Sequence, residues 1–221
     1  MLANIRRLPL FNSMRSLFKK AKPESRRWIV VDVETSGLNL HSDHLLAIAG
    51  VAVEVSADFR RVSIVIGDSY EAVLKQDLPS NKDNILIHHI GAQAQSDGRP
   101  PVVVLEEFRQ WVGHCPLLAF HAAFDEGMLN KAYSSFGLKP LQNEWLDIEP
   151  LAKITGVNPS LRSLDDWLSY FGIDCAIRHQ AASDTFATAE LLMGLWPYLS
   201  KEGNSWSSLR HIARQANWIP D

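Results

Sequence analysis

Cysteine is scarce in this chain, with two in 221 residues, Cys115 and Cys175. Two cannot make a disulfide framework, and neither has metal-ligand spacing to a partner. Each is expected to be a small buried hydrophobe, and a reducing, cytoplasmic compartment is the default. Long apolar runs are missing too. None approaches the roughly 20 residues that cross a bilayer, which excludes a transmembrane helix. Charge is modest, 21% against 46% hydrophobic residues, and that balance excludes a disordered chain. The length suits one ordinary globular core rather than two. Internal repeats and low-complexity tracts are absent.

Basic charge is missing from most of the chain. Residues 1–27 hold eight basic residues against one acid, a net of +7, which leaves the remainder at −10. A protein that binds nucleic acid by bulk charge would be basic throughout. An acidic body must meet an anionic substrate locally, through bound cations or a few basic side chains.

What is present begins with a basic amphipathic extension over residues 1–25. Leu10, Phe11, Met14, Leu17 and Phe18 draw an apolar stripe on a short helix bracketed by Pro9 and Pro23. It is expected to pack on the domain or to serve self-association or a protein partner. Contact with a membrane surface or nucleic acid, or a targeting role, are the alternatives. The main domain spans 26–200. Strands are predicted at Trp28–Val31, Leu45–Val55, Pro116–Phe120 and Trp145–Ile148, and a third strand or hairpin at about Val62–Leu74 with Gly67-Asp68 as its turn signal. Between 75 and 101 the sequence reads as loop with one short helix. Helices are predicted around Leu105–Val112, at Phe124–Phe136 ended by Gly137, at Leu164–Phe171 stopped by Gly172, and at Ala181–Leu199. Trp206, Leu209, Ile212 and Ala213 mark one more packed helix in a tail over 201–221. Strands first, then strands alternating with helices, indicate an α/β fold around a mixed five-stranded sheet flanked by helices.

Four carboxylates sit where a core should be apolar. Asp32 and Glu34 interrupt the most hydrophobic strand, and i, i+2 spacing projects both to one face. Two like charges about 4 Å apart repel by roughly 4 kcal/mol at an effective dielectric of 20. Either one is protonated, a cation lies between them, or the strand end reaches solvent. Asp125 opens the helix predicted at Phe124–Phe136 and Asp184 the long one at Ala181–Leu199, where each could simply cap its helix. His179 lies five residues before Asp184. On one helix that offset is about 140°, so the imidazole can approach only from the preceding loop. Oxygen donors without cysteine or histidine clusters suit magnesium or manganese rather than zinc. Paired divalent ions stabilise in-line attack on a phosphodiester, and a neutral imidazole nearby can take a proton from the attacking water.

Asp32-Val33-Glu34-Thr35-Ser36-Gly37, His121-Ala122-Ala123-Phe124-Asp125 and His179-Gln180-Ala181-Ala182-Ser183-Asp184 resemble the three motifs of the DEDDh 3′–5′ exonucleases. That group of the RNase H-like superfamily includes the proofreading epsilon subunit of bacterial replicative polymerase and ribonuclease T. The resemblance covers about residues 28–200 and implies an RNase H-like exonuclease fold. It implies that Asp32 bridges two Mg2+ or Mn2+ ions, that Glu34 and Asp184 complete the catalytic site, and that Asp125 holds the second ion. His179 would be the general base. Thr35, Ser36, Gly37 and Leu38 would hold the terminal nucleotide, with Leu38 wedged against its base and Gly37 allowing close backbone approach. His88 and His121 are further candidates for substrate contact. The implied substrate is the 3′ end of single-stranded DNA or RNA.

One departure stands out, because relatives carry His-Asn where this chain has Phe120-His121. The residues after Leu199 are also fewer than the polymerase-binding segment of epsilon-type subunits. The leading expectation is a metal-dependent exonuclease releasing nucleoside 5′-monophosphates. Its alternatives are a dedicated proofreading partner of a polymerase and a catalytically silent nucleic-acid-binding or interaction module on the same fold.

Overall fold

A computed structural model describes residues 26–88, 90–158 and 160–216. The amphipathic N-terminal segment lies outside the described residues. Five strands, β1 (Arg27–Thr35), β2 (Leu45–Val55), β3 (Val62–Val73), β4 (Leu117–Ala119) and β5 (Trp145–Asp147), form one mixed sheet in the order β3-β2-β1-β4-β5. β1 runs antiparallel to β2 and parallel to β4, and β4 runs parallel to β5. The helices are α1 (Lys82–His88), α2 (Ala92–Ser96), α3 (Pro101–Val112), α4 (Ala122–Ser135), α5 (Ile148–Ile154), α6 (Leu164–Phe171), α7 (Ala181–Glu202) and α8 (Trp206–Ala216). Among the described residues no helix is long and apolar enough to cross a membrane.

Burial on both faces explains the apolar run of β1. Ile29, Val31 and Val33 pack with residues of α3 and α4, whereas Trp28 and Val30 pack with residues of α5, α6, α7 and α8. Asp32 and Glu34 continue the second row. The strand therefore delivers them to the face that α7 covers. At the other end of that row Trp28 meets Trp206, Trp196 and Phe59 at centroid distances of 4.9, 5.7 and 5.9 Å. Trp206, Leu209, Ile212 and Ala213 of α8 belong to the same buried cluster, so the expected C-terminal helix is part of the core.

Local details depart from expectation in three places. Gly67-Asp68 does not turn the chain. β3 continues past it, with Val51 opposite Ser69 and Ala52 opposite Val65, so Ile66, Gly67 and Asp68 bulge out of the ladder. Asp68 is pinned there by Arg27 Nε at 2.6 Å and by the Trp111 indole at 2.8 Å. The 75–101 segment holds two short helices rather than one. α5 follows β5 directly, capped by the Asp147 side chain, which accepts from the Glu149 backbone N–H at 3.0 Å. Its Pro150 sits in the first turn, where no intrahelical partner for its nitrogen is missed. α6 ends as expected at Gly172, in the left-handed conformation with φ of 65°.

Candidate active site

The carboxylates converge where the second β1 row meets the N-terminus of α7. Asp32, Glu34 and Asp184 each offer an oxygen within 4.8 Å of the others. Glu34 and Asp184 are buried and Asp32 is half-buried. Asp125, in the first turn of α4, is buried beside them and interacts electrostatically with Asp32 and Glu34. It stands next to the trio rather than inside it.

Crowding shows in their acidity. Burial, reinforced by Asp125, Glu34 and Asp184, pushes the Asp32 carboxyl well above its ordinary range, and Arg178 partly offsets this. Burial also raises Asp125, against hydrogen bonds from the backbone at Asp125 and Val33; Asp147 and Glu34 add to the rise. Among the described residues, Glu34 Oε1 is buried with no hydrogen-bond partner. An unpartnered buried carboxylate oxygen is costly, and a hard cation with oxygen ligands is the chemistry that satisfies it. The donor set fits a divalent ion of the magnesium or manganese kind, and the trio with Asp125 could hold it.

His179 enters from the loop before α7, as the helical offset requires. It adopts a left-handed conformation with φ of 60°, and its backbone N–H donates to Asp184 Oδ2 at 3.0 Å. That bond fixes the histidine beside the acids through the main chain and leaves its ring free to face another group. The His88 ring lies edge-on to it, 6.0 Å between centroids, and His88 Nδ1 touches Glu34 Oε2. So His88, at the end of α1, reaches the acid cluster itself.

The loop after β1 is strapped internally. The Thr35 hydroxyl donates to the Gly37 carbonyl at 2.7 Å, and the Ser36 hydroxyl donates to Asp43 at 3.1 Å. A Cβ on Gly37 would come within 2.5 Å of Asp43 Oδ2, so the glycine is needed at least by the loop's own packing. Leu38 is 85% exposed, an unusual setting for a leucine and one that leaves it free to meet a ligand. His121 caps α4 in the left-handed region, its N–H donating to Asp147 Oδ1 at 3.0 Å, and its exposed ring faces Glu149.

Three contributors escape sequence reasoning. Asp147 orders the entry to both α4 and α5. Asn84, buried in α1, donates to the Thr35 carbonyl at 2.7 Å and ties α1 to the end of β1. Arg178 contacts Asp184 Oδ1 and also Asp165 in α6. A capping box between Ser163 and Asp166 starts α6, and it leaves Asp165 turned to that arginine. Cys175 is no buried hydrophobe. It is half-buried, and its thiol donates to Asp184 Oδ1 at 3.2 Å. Burial and Asp184 push that thiol up to about 11, so it remains a donor.

Comparisons place this geometry among known proteins. A family model for RNase T-type exonucleases, described as "Exonuclease", matches residues 29–192. The PolC-type DNA polymerase III of Listeria innocua is 31% identical over 168 residues, which are 76% of this chain and 11% of that polymerase. The chain thus spans about a ninth of that relative's length. Among solved structures, a zinc-bound complex of E. coli exonuclease I with single-stranded DNA superposes with a TM-score of 0.64 at 17% identity, over 81% of this chain and 43% of that one. Exonuclease X in complex with 5′-overhanging duplex DNA gives 0.61 at 20% identity, over 84% of this chain and 99% of that one. The fold is the RNase H-like fold of these exonucleases.

Proposed function

The chain belongs to the RNase T-type exonuclease family, and from that premise we propose that it is a metal-dependent 3′–5′ exonuclease on single-stranded DNA or RNA, releasing nucleoside 5′-monophosphates. The observation that carries the reading is the meeting of Asp32, Glu34 and Asp184, brought from β1 and α7, with a buried Glu34 oxygen that has no partner among the described residues. When bound, two magnesium or manganese ions would supply charge neutralisation and Lewis-acid polarisation of the scissile phosphate. Asp32, Glu34 and Asp184 would hold one ion, and Asp32 with Asp125 the other.

The remaining work falls to the chain's own groups. His179 takes the proton from the attacking water; its main-chain bond to Asp184 keeps it beside the acid cluster. Thr35, Ser36 and Gly37 line the terminal nucleotide, and exposed Leu38 packs against its base. His88 holds Glu34 on one side and His121 reaches substrate from the α4 cap. A groove lined by Ser36, His44, Lys75, Leu78 and Phe136 opens next to this loop and offers a path for the rest of the strand. The exonuclease I complex holds single-stranded DNA and a zinc ion, which agrees with this substrate class and with a bound cation.

The test is a 5′-labelled oligonucleotide incubated with Mg2+ or Mn2+. It should shorten in single-nucleotide steps, stop in EDTA, and lose about 100- to 10,000-fold in rate with His179→Ala. Shortening that persists in EDTA would refute metal dependence. The likeness to a segment of a PolC-type polymerase favours a second reading, proofreading beside a polymerase. A mismatched primer 3′ end cleaved faster than a matched one would support it, and equal rates would count against it.

A further inference from the structure

Both oxygens of Asp184 are held by protein donors. Oδ2 accepts the His179 N–H, and Oδ1 receives the Cys175 thiol and the Arg178 guanidinium. The arginine does not rest on Asp184 alone. Its Nε also pairs with Asp165 Oδ1, on the first turn of α6, and Asp165 is well exposed where Asp184 is buried. Arg178 therefore bridges a metal-site carboxylate and a solvent-side carboxylate, and a planar fork of five N–H groups is suited to serving two acids at once.

A fixed positive charge on Asp184 acts where a divalent cation would lie. It offsets the mutual repulsion of Asp32, Glu34 and Asp184 while no ion is present, and it repels an incoming ion once one arrives. We propose that Arg178 is a positioning residue that stands in for the ion at Asp184 and yields to it, with Asp165 as the anchor that retains the guanidinium when it lets go. The proposal rests on the metal-dependent reading above. It makes Arg178 and Asp165 the pair that sets how tightly this site holds its ion, by a competition of cations for one oxygen.

The sign of two substitutions separates this from a merely structural ion pair. Arg178→Gln removes the competing charge and should tighten Mn2+ binding, read by isothermal titration calorimetry on the full chain, by a factor of roughly ten. Asp165→Asn removes the anchor, leaves the guanidinium on Asp184, and should weaken Mn2+ binding by about two- to threefold. In the Arg178→Gln background Asp165→Asn should change almost nothing, because its effect passes through the arginine. A structural pair would instead weaken binding in both single variants. Mn2+ binding by the wild type combined with unchanged or weaker binding in Arg178→Gln would overturn the proposal alone. No Mn2+ binding by the wild type would overturn the metal reading with it. Should Arg178→Gln fail to fold, the wild type still decides: in a Mg2+ titration the side-chain NMR signal of Arg178 should move and saturate at the concentration at which the ion saturates, and a signal that stays put would overturn the proposal.

Discussion

One row of β1 and one helix build two opposite environments. At the start of the strand Trp28 meets Trp196 of α7, Trp206 of α8 and Phe59 in a closed aromatic cluster. At its end, on the same face, Asp32 and Glu34 meet Asp184 of the same α7. The same strand row and the same helix serve both ends, with opposite side-chain chemistry. The aromatic end removes apolar surface from water and holds the layers together. The acid end gathers like charges that Arg178 only partly offsets. Stability and chemistry are therefore separable along a single strand.

The largest effect that would break this division is at Asp32. Asp32→Asn should lower exonuclease turnover by at least about 1,000-fold, the scale of several kcal/mol expected from a lost ion ligand. Measured in EDTA, the same variant should be as stable as wild type or more so, because one repelling charge is gone. A variant that unfolds instead would show that the acid end also holds the fold. Next comes the aromatic end. Trp28→Ala should cost about 3–5 kcal/mol in urea denaturation, with turnover per folded molecule nearly unchanged at low temperature. Loss of turnover without loss of stability would erase the distinction.

Acidity gives a third, smaller contrast. Asp32 and Asp125 are raised, chiefly by burial, so the folded chain keeps protons that the unfolded chain releases above about pH 4. In EDTA their contribution to stability should fall as pH rises from that value through the raised ones, lowering Tm by at least about 2–4 °C, the shift of 1 kcal/mol in a chain of this size. Saturating Mn2+ should flatten that slope. Asp68 carries the opposite sign. The Arg27 guanidinium, with the Trp111 indole, holds it below the ordinary range, against some burial, so its contribution is present above about pH 4 and lost as pH falls. Because this ion pair is about a third exposed, Asp68→Asn should cost no more than about 1 kcal/mol and leave turnover alone. Equal pH slopes for Asp32→Asn, Asp68→Asn and wild type would deny that Asp32 and Asp68 are shifted in opposite directions.

The sequence disclosed these ends unequally. Strand periodicity was enough to put Asp32 and Glu34 on one face, and the helical offset was enough to bring His179 in from a loop, where its φ of 60° now places it. The long strand β2 and the stop at Gly172 were equally legible, since both depend on local preference. Gly67-Asp68 misled because a turn signal and a bulge signal use the same residues. What decides between them is Arg27 and Trp111, distant in sequence and close in space. α5 hid because its seven residues are too few for helical periodicity to emerge. The contacts of Arg178, Cys175 and Asn84 depend on how loops fold back onto the sheet, which no spacing rule encodes. Residues 1–25 lie outside the described residues, so the role expected of their apolar stripe rests on spacing alone.

Direct observation of the ions decides whether the acid end exists to hold them. Mn2+ titrated into the full chain and into Asp32→Asn, followed by electron paramagnetic resonance of the free ion, compares the two in one experiment. If Asp32, Glu34, Asp125 and Asp184 form an ion site, the wild type removes Mn2+ from solution saturably and Asp32→Asn does not. Identical curves for the two proteins would mean that these carboxylates meet for some other reason.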